Sequence, residues 1–378
     1  MDASLRVVLV HDWLTGMRGG EKCLEVMCRH WPQAPLYTLL HRPGTVSKRI
    51  EDRQIITSVL NRLPGVERYY RYLLPLMPWA VGWQMPECDV VLSSSHCVAK
   101  GITPPPGALH ICYCYTPMRY AWHMQDAYFR ERRWYNVKDW LARRILDRMR
   151  EWDRRTAAGV THFIAISETV KQRIRECYDR DSVVIYPPVD TDVYTPADSR
   201  REDYYLILSA FAPYKRLDLA IAACMKLGRR LVVIGTGQDE KNLRSLANDK
   251  IEFLGWQPDE VLRDHLRRCQ ALLFPGEEDF GIVPVEAQAC GTPVIAFNKG
   301  GATETVIPWP RPDATGMWFD EQTTDCLAET LLQFERARDA FDPARLRAHA
   351  LRFDAARFDE ELYRYVTGAA RQNVRLAA

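Results

Sequence analysis

Short apolar segments rich in valine, isoleucine and leucine recur along this chain, and each precedes a loop and a stretch with helical spacing. Continuous apolar strands that alternate with helices are typical of a parallel sheet covered on both faces. The pattern predicts strands in the first half at 6–10, 89–93, 109–113, 162–166 and 183–186. In the second half it predicts strands at 204–209, 230–234, 251–254, 271–274 and 293–297.

The alternation stops once, in a polar stretch with several prolines at 187–203. A chain of 378 residues has the length of two domains. We therefore expect an α/β protein with two doubly wound, Rossmann-like domains that face each other across a cleft. The expected N-terminal domain is 1–190 and the expected C-terminal domain is 191–355. A final helix at 356–378 is expected to cross back to the first domain.

Composition and charge argue against several classes of protein. Lys and Arg number 51 against 49 Asp and Glu, a balance unlike the one-sided charge of most nucleic-acid-binding proteins. No apolar run reaches the length of a membrane span, and the N-terminus does not resemble a secretory signal. The 11 cysteines form no CxxC pair. We expect a cytoplasmic protein without a bound metal or nucleic acid.

The segment 274–291, FPGEEDFGIVPVEAQACG, concentrates polar residues at a strand end. Glu278 lies in the loop after an apolar strand, at the edge where open α/β sheets bind ligands. Pro284 fits the first position of a helix, so Glu286 is expected in the first turn, beside amides that can bind a phosphate. A Glu in a first turn is also favoured by the helix macrodipole alone.

Two further groups are expected at the same cleft. Lys215 and Arg216 follow the strand predicted at 204–209, and Gly19 and Gly20 follow the first strand. Small residues let backbone amides approach an anion closely. Together these groups suit a diphosphate leaving group and require no metal. Taken singly, the two cations also fit a solvated surface pair, and the glycines fit an ordinary turn.

Together these residues resemble the retaining GT-B glycosyltransferases of family GT4. The spacing Glu278-x7-Glu286 matches the family's E-x7-E motif, and the string GGATE at 300–304 accompanies it. The first half resembles the branch that includes bacterial O-antigen and exopolysaccharide mannosyltransferases. The strings that carry this resemblance are HDWL (11–14), GGEK (19–22), SSSHCVAKG (93–101), YTPMRYAW (115–122) and PPVD (187–190).

The resemblance implies a role for each candidate residue. Glu278 would contact the donor sugar near its transferred carbon, and Lys215 would hold the diphosphate with help from Arg216. Tyr115 and Arg119 would lie on the acceptor or sugar side. The donor-binding set would comprise Glu286 at the ribose, Trp256 near the nucleobase, and backbone groups of Gly281, Ile282, Val283, Gly19, Gly20 and Gly235.

The implied activity is retaining transfer of a hexose, mannose from GDP-mannose, to a hydroxyl of a lipid-linked glycan in bacterial surface polysaccharide synthesis. The nucleotide sugar is a co-substrate, and no cofactor is expected. Two positions depart from the family pattern: Ala210 stands where an Arg is common, and Tyr115 where a His is expected. These departures leave open a catalytically weakened GT-B binding or assembly protein. A nucleotide-sugar epimerase and the choice between GDP and UDP are also left open.

Aromatic and basic residues are mixed at 61–83 and 119–155. Amphipathic segments that combine Arg with Trp and Tyr can lie on an anionic lipid surface. The alternative is a solvated helical face whose aromatic side chains pack on the core. The first interpretation predicts a cytoplasmic enzyme that associates peripherally with the inner face of the cytoplasmic membrane.

Overall fold

The computed structural model describes residues 5–122, 137–197 and 200–377. Contacts divide the chain into two compact units. The first unit contains residues 1–187 and 358–378, and the second contains residues 188–357. Within these described ranges, no helix is both long and apolar enough to cross a bilayer.

The first unit is built on a parallel sheet whose described strands number seven. They are β1 (Val7–Leu14), β2 (Leu36–His41), β3 (Ile55–Thr57), β4 (Val90–Ser95), β5 (Leu109–Cys114), β6 (His162–Ala165) and β7 (Ser182–Val184). Their order is β3-β2-β1-β4-β5-β6-β7. The chain order runs outward in opposite directions from β1 and β4, so the topological switch point lies between these two strands.

The helices of the first unit connect these strands. The hydroxyl of Ser167 accepts a hydrogen bond of 3.1 Å from the N–H of Val170, the N-cap that the sequence predicts. The α-helices span Gly19–His30, Lys48–Glu51, Met77–Ala80, Arg119–Trp122, Val137–Ala157 and Glu168–Tyr178, and the 3-10 helices span Val59–Arg62, Val66–Arg68, Tyr70–Leu76 and Ala99–Gly101.

Strands β4 and β5 are buried along their whole length, as expected for the middle of a covered parallel sheet. The core of this unit also encloses an ion pair. The ammonium of Lys100 lies 2.7 Å from Oδ1 of Asp153, and both side chains are buried. The other carboxylate oxygen accepts hydrogen bonds from Trp122 and Tyr178 at 2.8 and 2.7 Å. This network satisfies charges that would otherwise be costly to bury.

The second unit is built on another parallel sheet, whose described strands number six. They are β8 (Tyr205–Leu208), β9 (Leu231–Ile234), β10 (Ile251–Gly255), β11 (Leu272–Phe274), β12 (Val294–Phe297) and β13 (Gly316–Phe319). Their order is β10-β9-β8-β11-β12-β13, so the switch point lies between β8 and β11.

The helices of the second unit pack around an apolar core that includes Ile207, Val233, Leu273 and Ile295. The α-helices span Leu217–Leu227, Glu240–Leu246, Asp259–Arg268, Ile282–Ala289, Ala302–Thr305, Thr324–Ala337 and Pro343–Ala350, and the 3-10 helices span Pro213–Lys215, Arg338–Ala340 and Leu351–Phe353. The last helix, Ala355–Ala377, begins in this unit, and its residues from Phe358 onward belong to the first.

Each strand predicted from the sequence is present, and the predicted class of two parallel-sheet α/β units is confirmed. The sequence pattern missed β2, β3 and β13. Strand β3 is a half-buried edge strand of 3 residues, so it lacks the continuous apolar run that marks the buried strands.

Candidate functional site

Two of the predicted catalytic residues meet at the carboxyl edge of the second sheet. Lys215 ends the short helix after β8, and Glu278 lies in the loop after β11. Lys215 Nζ and Glu278 Oε1 form an ion pair, with the side chains 14% and 20% exposed. Because β8 and β11 flank the switch point, this pair lies where open α/β sheets bind ligands.

Glycines allow the backbone to pack closely around Lys215 and Glu278. A Cβ atom on Gly276 would lie 2.9 Å from Cα of Lys215, and one on Gly300 would lie 2.3 Å from the carbonyl oxygen of Glu278. That carbonyl also accepts a 2.7 Å hydrogen bond from the N–H of Gly301. Any side chain at Gly300 would displace the Glu278 backbone, so the glycine pair of the GGATE string has a steric role.

The helix beside Glu278 begins earlier than the sequence predicts. It runs from Ile282 to Ala289 with Gly281 as its N-cap, and Gly281 has a φ of 86°. Pro284 is therefore the third residue and lacks an N–H, so Ile282 and Val283 supply the amides of the first turn. The prediction that Glu286 lies in the first turn was wrong, because Gly281 starts the helix two residues sooner. Glu286 lies in the second turn and is buried.

Arg216 is not brought to Glu278 with its neighbour Lys215. Its guanidinium pairs with Asp218, with Nε 3.1 Å from Oδ1 and Nη2 3.0 Å from Oδ2. The backbone of Arg216 has a φ of 54°, which turns the chain into the following helix. Ala210 is exposed just after β8 and supplies no cation. The contribution of Arg216 to diphosphate binding stays a prediction.

Gly235 and Trp256 follow the next two strands at the same sheet edge. Gly235 has a φ of 135°, and a Cβ there would lie 1.9 Å from the carbonyl oxygen of Ser209. Its N–H donates to the carbonyl of Gly255 over 2.8 Å. Gly235 therefore lets the loops after β8 and β9 pack closely. Trp256 has a side chain that is 74% exposed and open to a ligand.

In the first unit, a hydrogen-bonded chain supports the predicted glycine loop. Gly19 and Gly20 are the first two residues of a helix. Tyr115 donates its hydroxyl to the carbonyl of Gly20 over 2.8 Å, and Ser94 Oγ lies 2.6 Å from the same hydroxyl. Because a carbonyl only accepts, Ser94 donates to Tyr115 and in turn accepts from His11 Nδ1, 3.1 Å away. Tyr115 thus fixes the position of the Gly20 peptide.

Burial raises the pKa of Tyr115 well above its ordinary value, so this hydroxyl keeps its proton. The carboxylate of Glu21 accepts from the N–H of Arg18 at 3.0 Å and lies 3.7 Å from Nε2 of His11. Burial alone would raise the pKa of Glu21, but the interaction with His11 outweighs it and lowers that pKa. Arg119, at the start of a short helix, is half-buried.

The sequence did not single out His11, Ser94, Gly276 or the steric role of Gly300, although three of them lie within strings that carried the resemblance. No group of three or more His, Cys, Asp or Glu side chains in the described residues is placed to hold a metal ion. Of the aromatic and basic segment at 119–155, residues 123–136 lie outside the described residues.

Residues 196–350, which lie in the second unit, match the family model described as glycosyl transferases group 1. A glycosyltransferase of Methanocaldococcus jannaschii is 31% identical over 176 residues, which are 45% of this chain and 48% of the relative. A GDP-mannose-dependent alpha-(1-6)-phosphatidylinositol monomannoside mannosyltransferase of Mycobacterium tuberculosis is 29% identical over 219 residues, which are 49% of this chain and 56% of the relative.

The chain thus spans about half or less of the length of the first curated relatives that it matches. Among solved structures, Anabaena HepE in complex with UDP superposes with a TM-score of 0.72 at 15% identity. That match covers 96% of this chain and 100% of the other. The likeness identifies the fold as GT-B.

Proposed function

We propose that this protein is a retaining glycosyltransferase that moves a hexose from a nucleotide diphosphate sugar to a hydroxyl. The observation that carries the proposal is the Lys215–Glu278 ion pair at the switch point of the second sheet. The glycosyl transferases group 1 match over residues 196–350 includes both residues and supports it.

The proposed mechanism uses the cation and the helix start to stabilise the leaving group. Lys215 leaves Glu278 and binds the diphosphate, whose remaining charge faces the amides of Ile282 and Val283. Glu278 then faces the donor sugar. The bond from the anomeric carbon to the diphosphate breaks, and the acceptor oxygen bonds to that carbon on the same face. The acceptor proton passes to the departing phosphate oxygen, so the nucleoside diphosphate balances the reaction.

We extend the proposal to the donor. Mannose from GDP-mannose is favoured because curated relatives include GDP-mannose-dependent mannosyltransferases. Glu286 would hold the ribose, and the exposed ring of Trp256 would contact the nucleobase. We propose that transfer needs no metal, since Lys215 and the helix amides supply the positive charge that a divalent ion otherwise would.

Product analysis tests this function directly. Purified protein is incubated with GDP-mannose and a mannoside acceptor, with and without EDTA, and the products are examined by NMR. The proposal predicts a new α-mannosidic bond and release of GDP in both reactions. A changed free sugar nucleotide without a glycosidic bond would identify an epimerase and contradict it. Binding of the nucleotide sugar without transfer to any glycan would identify a binding protein instead.

We also propose that the acceptor is a lipid-linked glycan reached from an anionic membrane surface. Tyr72 and Trp79 are 86% and 72% exposed, and Leu76 between them is 51% exposed. Three Arg and one Glu accompany them in residues 59–80. Exposed aromatic side chains beside a basic excess suit the interface of an anionic leaflet. Tyr70 of the same segment is buried, so its aromatic residues divide between core and surface.

Sedimentation with vesicles tests this surface. The protein should pellet with anionic phosphatidylglycerol vesicles at low salt and not with zwitterionic phosphatidylcholine vesicles. The double variant Tyr72→Ser and Trp79→Ser should lose this binding. Leu246→Ser serves as the matched control, since Leu246 is an exposed apolar residue, 44% accessible, in the second unit. Equal pelleting of the double variant and the wild type would contradict the proposed surface.

A further inference from the structure

A buried carboxylate orients a half-exposed histidine at the carboxyl edge of the first sheet. Asp12 lies near the end of β1 and is fully buried. Its two oxygens accept hydrogen bonds of 2.7 to 2.9 Å from four successive backbone N–H groups, those of residues 96–99. Asp12 Oδ2 also lies 3.1 Å from Nδ1 of His96, whose side chain is 34% exposed.

The contact between Asp12 and His96 determines which nitrogen of the imidazole carries the proton. Burial alone would raise the pKa of Asp12, but the charge and hydrogen bonds of His96 and the backbone amides outweigh it, so the pKa lies well below its ordinary value. An ionised carboxylate only accepts, so Nδ1 of His96 carries the proton that points at Asp12. In the neutral ring, Nε2 is then a hydrogen-bond acceptor at the exposed side of the dyad.

The dyad lies at the ligand-binding position of its sheet. Asp12 belongs to β1 and His96 follows β4 directly, and these two strands flank the switch point of the first unit. Open α/β sheets bind ligands outside the carboxyl ends of such strands. This is the same topological position that Lys215 and Glu278 occupy in the second sheet.

The surroundings of His96 suit a polar, uncharged ligand. The ring of Trp13 lies edge-on to the imidazole with centroids 4.6 Å apart, and it also packs against Tyr70. Trp13 is half-exposed and presents an apolar face beside a polar group, as ligand sites commonly do.

The charges around the imidazole disfavour an anion. The carboxylate of Asp12 lies 3.1 Å from Nδ1 of His96. With His96 neutral, a phosphate at Nε2 would face this carboxylate without a compensating charge on the imidazole, and like charges repel. A sugar hydroxyl carries no charge and can donate its proton to Nε2.

We propose that His96, held by Asp12, is a hydroxyl-binding residue of the saccharide acceptor site in the first unit. This inference deepens the proposed transferase function. The acceptor hydroxyl donates to Nε2, and the ring of Trp13 contacts the apolar face of the same sugar. His96 therefore sets acceptor affinity and takes no part in holding the donor.

Two amide variants of different length separate this role from a structural one. In His96→Asn the side-chain amide can still donate to Asp12, while the acceptor at the position of Nε2 is lost. In His96→Gln the longer side chain carries an oxygen toward that position. His30→Gln is the matched control, because His30 also pairs with a carboxylate, Nε2 lying 2.7 Å from Asp359, at the far end of its helix.

The first measurement needs no turnover. Proton–nitrogen correlation spectra of isotope-labelled histidine in the full chain are recorded while methyl glycosides of mannose, glucose and galactose are added. The Nε2 resonance of His96 should shift with at least one of them, and that of His30 should not. No shift at His96 with any of the three would overturn the proposal. Because no donor is present, this result is independent of whether transfer occurs.

The second measurement uses transfer kinetics with GDP-mannose and a mannoside. His96→Asn should raise the acceptor KM about threefold to tenfold, the effect of one lost hydrogen bond, with donor affinity unchanged. His96→Gln should recover part of the loss, and His30→Gln should behave as wild type. Equal KM values for wild type and His96→Asn, or a loss confined to donor affinity, would overturn the assignment.

Discussion

The two sheets place different chemistry at the same topological position. At the second switch point, Lys215 and Glu278 hold opposite charges in reach of solvent, beside the amide end of a helix. At the first, Asp12 is fully buried, and its charge is taken up by backbone amides and by His96. The common fold therefore positions ligands, while the side chains on its loops decide whether that ligand is a diphosphate or a hydroxyl.

The largest expected effect comes from the half-buried ion pair of Lys215 and Glu278. Lys215→Met removes the cation that the proposal assigns to the leaving diphosphate, and kcat should fall about 10²- to 10³-fold, as for other lost electrostatic stabilisers. Lys299→Met is the control, because Lys299 pairs with the adjacent Glu277 at 3.3 Å but is 64% exposed. Initial rates with saturating acceptor measure both. Ordinary turnover by Lys215→Met would show that the second switch point does not take part in the mechanism.

The second expected effect concerns stability at the first switch point. Asp12→Asn places an amide where two oxygens accept from four N–H groups, so some of these donors lose their acceptor. Each buried donor left unsatisfied costs about 1–3 kcal/mol, and the free energy of unfolding should fall by about 2–5 kcal/mol.

Urea unfolding of the full chain measures this loss. The comparison variant is Asp218→Asn, whose carboxylate pairs with Arg216 at the surface of the second unit and is 37% exposed. Its loss should lower the unfolding free energy by no more than about 1 kcal/mol. If both variants lose the same stability, the contrast between a buried structural carboxylate and an exposed one fails.

How far the sequence predicts this site depends on the range of the contacts. Glu278 and Lys215 could be placed together because each follows a clear apolar strand, and parallel strands end at one edge. The Asp12–His96 contact joins residues 84 apart through the pairing of β1 with β4, and no local period encodes that register. The hydrogen bond between Tyr115 and Gly20 likewise joins residues far apart in the chain, at a separation of 95. The sequence prediction placed the helix start at Pro284, whereas Gly281, at positive φ, is the N-cap of a helix that begins at Ile282.

A smaller effect concerns the pH dependence of stability at a buried histidine of the first unit. Burial and the charge of Lys100 lower the pKa of His110, on β5, to about 3, against an ordinary value of 6.5. The unfolded chain therefore binds a proton in this range that the folded chain does not. Stability that is fully present above pH 6.5 is lost as pH falls toward about 3, with a slope of up to about 1.4 kcal/mol per pH unit from this group.

His110→Asn removes that contribution and should flatten the pH dependence of the unfolding free energy in this window. The comparison uses urea midpoints of wild type and variant across the window, so other titrating groups cancel. An unchanged slope in the variant would show that the acid sensitivity arises elsewhere.

We propose that the switch point of the second sheet binds the donor and that the switch point of the first sheet binds the acceptor. Calorimetric titration of wild type, Lys215→Met and His96→Asn with GDP-mannose, and separately with methyl α-mannoside, tests it directly. A crossed pattern is expected: Lys215→Met loses affinity for GDP-mannose only, and His96→Asn loses affinity for the mannoside only. Loss of the same ligand by both variants, or unchanged binding of both ligands in either variant, would contradict it.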